Sequence, residues 1–291
     1  VTARIGPDGG PATVGLLLGS MSKPEKDATT RALAQGEIDI VVGTHALIQP
    51  SVEIPRLALV VVDEQHRFGV TQRASLRGKG RTPHLLAMSA TPIPRSLALT
   101  VYGDLDQSVI DELPPGRQRI RTRWVEPGRR EAAYDLVRKQ VVDGRQAFIV
   151  CPLIEESEAV QSRAAVEEYE RLAAEVYPEL RLGLLHGRMR LREKQETMDM
   201  FKRGDLDIMV STPVVEVGID VPNATVMLID SADRFGLAQL HQFRGRVGRG
   251  TSQSYCLLLS DSPGEEARQR LKIVERVQDG FKLAEEDLRL R

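Results

Sequence analysis

The stretch Ala58–Val70, ALVVVDEQHRFGV, decides how this chain is read. An unbroken apolar run stops at two adjacent carboxylates, Asp63 and Glu64. A short apolar run bounded by charge predicts a strand buried on both faces, the kind found in parallel sheets. In open α/β sheets, ligands bind just beyond the carboxyl ends of the strands. Asp63 and Glu64 are therefore expected where a ligand sits. One carboxylate there can hold a magnesium ion and the other can orient a water.

The pattern repeats outward from this run. VGLLL (14–18), IDIVV (38–42), LALVVV (57–62) and HLLAM (84–88) read as strands, with Lys23–Gln35 as a helix between the first two. This is βαβ logic and predicts a parallel sheet. The stretch ELPPGRQ (112–118) follows, and Pro114 and Pro115 break any helix or central strand. The alternation then restarts. RIRTRWV (119–125), AFIVC (147–151), LGLL (182–185), DIMVS (207–211) and TVMLI (225–229) read as strands. Arg129–Val142, Ser157–Val176, Leu191–Lys202, Gly264–Val277 and the final GFKLAEEDLRLR read as helices. There is no internal repeat at short period and no low-complexity tract. The expected architecture is α/β, two similar halves joined by a proline-containing linker.

The bulk numbers fit that picture. At 291 residues the chain has room for about two domains. Its 40 basic residues are balanced by 41 acidic ones, which neither demands nor excludes nucleic acid. Of the basic residues 32 are arginine. That bias suits a bidentate grip on phosphate, and genome composition produces it equally well. The two cysteines, Cys151 and Cys256, lie in apolar runs and read as buried reduced thiols rather than a disulfide. No Cys/His spacing suggests zinc, no 18-residue apolar run suggests a membrane span, and the first residues show no signal-peptide pattern. A cytoplasmic protein is the default expectation. The chain has no initiator methionine and reads as a fragment.

Further constellations carry chemistry. MSATPIPR (88–95) places Ser89 and Thr91 at the end of another apolar strand; they read either as groups at the same sheet edge or as helix caps. In QLHQFRGRVGRG (239–250), Gln242, Gly245, Arg246, Gly248 and Arg249 recur at tight spacing. Read as a helix, the stretch puts both arginines on one face, where they suit a phosphate undergoing transfer. Thr212, Gly218 and Asp220 follow a strand end; Asp220 can accept from a ribose hydroxyl, and a turn role is the commoner reading of such residues. GTHAL (43–47) and LHGRM (185–189) offer small hydrogen-bonding residues that suit a phosphodiester backbone or an ordinary polar turn.

DEQH, SAT, the STP…VGID loop and QFRGRVGR occur in the order of motifs II, III, V and VI of superfamily 2 helicases, which the chain resembles. VVGTHALIQ, DEQHRFGVTQR, SATPIPRSLALTVYGDLD and DELPPGR make it similar, over nearly its whole length, to the RecG family of bacterial ATP-dependent DNA helicases. The transcription-repair coupling factors share ATPIPR and RGRVGR but lack ELPPGR.

The resemblance implies two RecA-like domains in tandem. The first, residues 1–113, would be N-terminally truncated and without its phosphate loop; the second would span 114–262, and 263–291 would begin a translocation hairpin. It implies ATP and Mg2+ as cofactors, with Asp63 on the metal and Glu64 polarising the attacking water. Gln242, Arg246 and Arg249 would reach the γ-phosphate, and Gly218 and Asp220 would contact nucleotide. Gln65, His66, Ser89 and Thr91 would couple nucleotide state to domain motion. Thr44, His45, His186, Gly187 and Thr212 would contact the DNA backbone. Implied partners are branched DNA (forks and Holliday junctions) and a single-stranded DNA-binding protein, with a monomeric state and no membrane. The phosphate-loop string G-x-x-x-x-G-K-[ST] does not occur in the chain, so ATP hydrolysis by the chain alone is not expected. Two other classes compete with this reading: a nucleic-acid-binding module, and a nucleotide hydrolase that does not act on DNA.

Overall fold

A computed structural model describes residues 11–64, 78–79, 83–89, 106–110, 112, 116–151, 158–213 and 220–290. The chain divides into two compact units, Val1–Ala90 and Thr91–Arg291. Pro114 and Pro115, the expected linker, lie outside the described residues.

In the first unit, β1 (Val14–Leu17) leads through α1 (Lys23–Gln35) to β2 (Ile40–Gly43), which pairs with it in parallel. The helix starts where its sequence says it must. Glu25 Oε2 accepts from the Ser22 amide at 2.9 Å and from the Ser22 hydroxyl at 2.6 Å, a capping arrangement that satisfies free donors of the first turn. It stops at Gly36, whose φ of +74° is the left-handed turn glycine favours. A 3-10 turn (His45–Ile48) follows. β3 (Leu59–Val62) and β4 (His84–Ala87) form a second parallel pair. Leu17, Leu33, Ala46 and Val52 pack together, and Val60 and Val62 pack with Ile48, Leu57 and Leu85. The alternate strand positions Val14, Leu16, Ile40, Val42, Leu59, Val61 and Leu86 are exposed. The period-2 alternation of a strand thus buries one face of each pair and leaves an apolar face open.

The second unit is built on one six-stranded parallel sheet. Its strands are β5 (Arg121–Val125), β6 (Gln146–Val150), β7 (Leu182–Leu185), β8 (Ile208–Ser211), β9 (Ala224–Ile229) and β10 (Tyr255–Leu259), in the spatial order β5-β10-β9-β6-β8-β7. The central strand β6 is buried throughout. Phe148 and Val150 join one core cluster, while Ala147 and Ile149 join the other. Helices α2 (Arg130–Val142) and α3 (Glu158–Arg171) cover the second of these faces. On the first lie α4 (Leu191–Arg203), α5 (Leu237–Arg244), α6 (Glu265–Arg276) and α7 (Gly280–Leu290), through Phe201, Leu240, Phe243, Leu271, Val274 and Leu283. This is the three-layer α/β arrangement the alternation predicts.

Three details differ from the sequence reading. β3, expected to be buried on both faces, buries Val60 and Val62 but leaves Leu59 and Val61 exposed. The helix expected over Ser157–Val176 does not stay α-helical: Leu172–Val176 is a π turn, closed by the Tyr177 amide donating to the Leu172 carbonyl at 2.7 Å. The apolar run around Cys256, YCLLL (255–259), to which the sequence reading assigns no element, is β10, paired on both sides by β5 and β9.

Candidate functional site

The described site residues of the first unit lie at the carboxyl ends of its strands. Asp63 and Glu64 follow β3 directly, Ser89 lies just past β4, and Thr44 and His45 follow β2. Asp63 is exposed, and its Oδ1 accepts from the Glu64 amide at 2.8 Å. That bond bends the chain so that Glu64 adopts φ +49°. A non-glycine residue there costs roughly 1–2 kcal/mol and is commonest where a side chain must be aimed. Gln65, His66 and Thr91 lie outside the described residues.

In the second unit the carboxyl ends of β7 and β8 carry His186, Gly187, Ser211 and Thr212. Ser211 is fully buried and Thr212 is 4% exposed. Their hydroxyls, and His186 Nδ1, are buried without a hydrogen-bond partner. A buried hydroxyl left unpaired costs about 1–3 kcal/mol, so three such atoms at one sheet edge mark a place built for a polar ligand. His186 is held below its usual pKa by burial and by the nearby charges of Lys194 and Arg188. It is therefore neutral at pH 7.

Asp220 and Arg249 are brought together, Oδ1 to Nη1, at 3.2 Å. Gln242 is half-buried on α5. Arg246 and Arg249 are not on a helix, which corrects the sequence reading. α5 ends at Arg244, Gly245 caps it, and Gly248 has φ +75°. Arg249 folds back over this turn, its Nε reaching the Gly245 carbonyl at 3.4 Å. The helix stops before Gly245, and Gly248 supplies the left-handed turn beyond it. Gly218 lies outside the described residues.

Sequence reasoning missed two groups. Ser211 precedes Thr212 and shares its unpaired burial; its place at the end of the IMVS strand was the available signal. Arg244 is buried, and its guanidinium donates to the carbonyls of Val274, Val277 and Gln278 at 2.9, 2.9 and 3.1 Å. These oxygens lie at the carboxyl end of α6, the negative pole of the helix. Nothing in QFRGR separates this arginine from its neighbours.

The sequence and the fold are matched elsewhere. The DEAD/DEAH box helicase model matches residues 9–100, and the helicase conserved C-terminal domain model matches 128–251. The ATP-dependent DNA helicase RecG of Synechocystis sp. is 55% identical over 278 residues, 96% of this chain and 34% of that protein. The chain is similar to RecG over nearly its whole length. The RecG of Thermotoga maritima is 54% identical over 96% of this chain and 36% of that protein. A structure of RecG bound to a three-way DNA junction superposes with a TM-score of 0.76 at 51% identity, over 96% of this chain and 36% of that one. The chain thus spans about a third of the length of the RecG proteins it matches. The two RecA-like units in tandem are the helicase fold of these proteins.

Proposed function

We propose that this chain is the motor portion of an ATP-dependent double-stranded DNA translocase that remodels stalled forks and Holliday junctions in recombination and repair. The observation that carries the DNA half of the proposal is the set of unpartnered buried atoms on His186, Ser211 and Thr212. A phosphodiester offers acceptor oxygens to the hydroxyls without demanding base identity. With Gly187, Thr44 and His45 these residues are the proposed DNA contacts.

For the nucleotide half, the donor set fits magnesium. Asp63 presents an exposed carboxylate whose hydrogen bond, from the Glu64 amide, is local, and a hard cation takes such oxygens. Asp63 would hold the ion, which when bound neutralises charge on the β- and γ-phosphates. Glu64 orients the attacking water through the carboxylate its backbone turn aims. Arg246 and Arg249 stabilise charge on the transferring phosphoryl group, and Gln242 positions it. Gly218 and Asp220 contact nucleotide. Gln65, His66, Ser89 and Thr91 couple nucleotide state to movement. A monomer acting in the cytoplasm, with a single-stranded DNA-binding protein as a partner, completes the reading.

The test uses the full-length protein. ATP turnover is measured with and without a synthetic fork, for the unsubstituted protein and for Thr212→Val. Fork-stimulated turnover whose DNA dependence weakens in Thr212→Val is expected. Turnover indifferent to DNA would favour a nucleotide hydrolase of another kind.

A further inference from the structure

The two units contain the same device. Residues 14–44 and 182–212 align without a gap at a constant separation of 168, with 13 identities. The geometry repeats with the sequence. β1 and β2 pair Val14 with Ile40, and β7 and β8 pair Leu182 with Ile208. Asp39 Oδ2 accepts from the Thr13 amide and Asp207 Oδ2 from the Arg181 amide, both at 2.8 Å. Glu25 and Glu193 each accept from a helix N-cap amide at 2.9 Å. A Cβ on Gly15 or on Gly183 would meet the side chain of Ile38 or Leu206 at 2.7 or 2.6 Å.

The loop after the first strand is fixed the same way twice. The Leu18 amide donates to Met21 Sδ at 3.2 Å, and the His186 amide to Met189 Sδ at 3.4 Å. Lys26 Nζ donates to the Gly19 carbonyl at 2.6 Å, and Lys194 Nζ to the Gly187 carbonyl at 2.5 Å. Thioether sulfur is a weak acceptor, and a lysine at such a loop would ordinarily point into solvent. That both choices recur at matched positions argues for a shared task rather than chance packing.

We propose that Met21 and Met189, with Lys26 and Lys194, are positioning residues that set the loops after β1 and β7 for contact with a phosphodiester chain; this rests on the DNA reading above. The sulfur takes the amide at the start of each loop, and the ammonium takes the glycine carbonyl. The lysines act through the loop, not on the phosphate. Both loops are held before DNA arrives, so less ordering entropy is lost on binding.

The test measures the affinity of the full-length protein for a fluorescent fork across a salt series, with thermal melting as a folding control. Met21→Leu and Met189→Leu keep apolar volume and remove the acceptor. Met21→Gln and Met189→Gln keep an acceptor. Each leucine variant is expected to weaken binding about 3- to 5-fold, the size of one lost hydrogen bond, and each glutamine variant to retain most of it. Leucine tolerated and glutamine harmful would mean that the methionines only pack, and would overturn the proposal. Lys26→Met and Lys194→Met should weaken binding with the salt slope unchanged; a slope reduced by about one would mean a direct phosphate contact and overturn the positioning role. If the unsubstituted protein binds no fork, the DNA reading itself fails and this proposal with it.

Discussion

Arg249 and Asp220 form an ion pair at 3.2 Å, with the arginine 32% and the aspartate 64% exposed at the side chain. A pair this open contributes about 0–1 kcal/mol. It orients the guanidinium fork yet releases it at little cost when a stronger anion arrives.

That relationship predicts the behaviour of Arg249 variants. In the full-length protein, Arg249→Ala should lower kcat by about 10³-fold, the scale of arginine fingers elsewhere. KM for nucleotide should change much less, because a finger acts on transition-state charge. Arg249→Lys should rescue poorly, lacking the planar fork. Asp220→Asn should leave the melting temperature nearly unchanged. If Arg249 instead holds DNA phosphate, kcat at saturating fork stays near normal and the salt slope of DNA binding drops by about one.

Glu64→Gln should separate binding from turnover. The substitution keeps shape and the backbone turn at φ +49°, and removes the charge proposed to orient water. Nucleotide affinity should persist while steady-state hydrolysis disappears. Parallel loss of both, measured by nucleotide titration beside phosphate release, would assign Glu64 a structural role.

The 291-residue chain by itself should hydrolyse ATP negligibly, with or without a fork. Its sequence has no G-x-x-x-x-G-K-[ST] string, whose lysine and amides cradle the phosphates in P-loop enzymes. A phosphate-release assay decides it, and robust fork-stimulated turnover would show that another group in this chain does that work.

Where local signals were strong, the sequence reading matched the fold residue by residue. Helix Lys23–Gln35 begins at a Ser-x-x-Glu cap and ends before a glycine, and its bounds are those observed; the strand Leu182–Leu185 likewise. The sequence leaves β10 open because an apolar run of five is ambiguous by periodicity alone, and its pairing with β5 is long-range. Arginines three apart, Arg246 and Arg249, fit a helical period, yet the helix ends at Arg244 and Gly248 turns the chain beyond it. The repeat between residues 14–44 and 182–212 was hidden by its long separation. Its 13 identities are scattered over 31 positions, and the contacts they make, such as amide to sulfur, follow no periodicity.

His241 lies on α5 beside the buried Arg244. Arg244 Nη2 lies 2.8 Å from His241 Nδ1. A guanidinium can only donate, so Nδ1 accepts and the proton of the neutral ring is on Nε2. Burial, and then the Arg244 charge, push the His241 pKa down to about 4, with Asp279 opposing. The unfolded chain titrates near 6.5. Between those values the unfolded state binds more protons, so stability rises with pH across the window. His241 therefore contributes fully above about pH 6.5, and its contribution is lost as pH falls toward 4. The linkage amounts to about 2 kcal/mol between pH 8 and pH 5. Trp124 is the one tryptophan in the chain and packs against the core that contains α5, so its fluorescence follows this unit during urea unfolding. The unsubstituted chain should lose stability steeply from pH 6.5 to 5. His241→Gln keeps an acceptor for Arg244 and cannot titrate, so it should lose about 2 kcal/mol less between pH 8 and pH 5. Equal pH dependence in the two proteins would mean that His241 is protonated in the folded state, and the hydrogen bond to Arg244 would have to be given up.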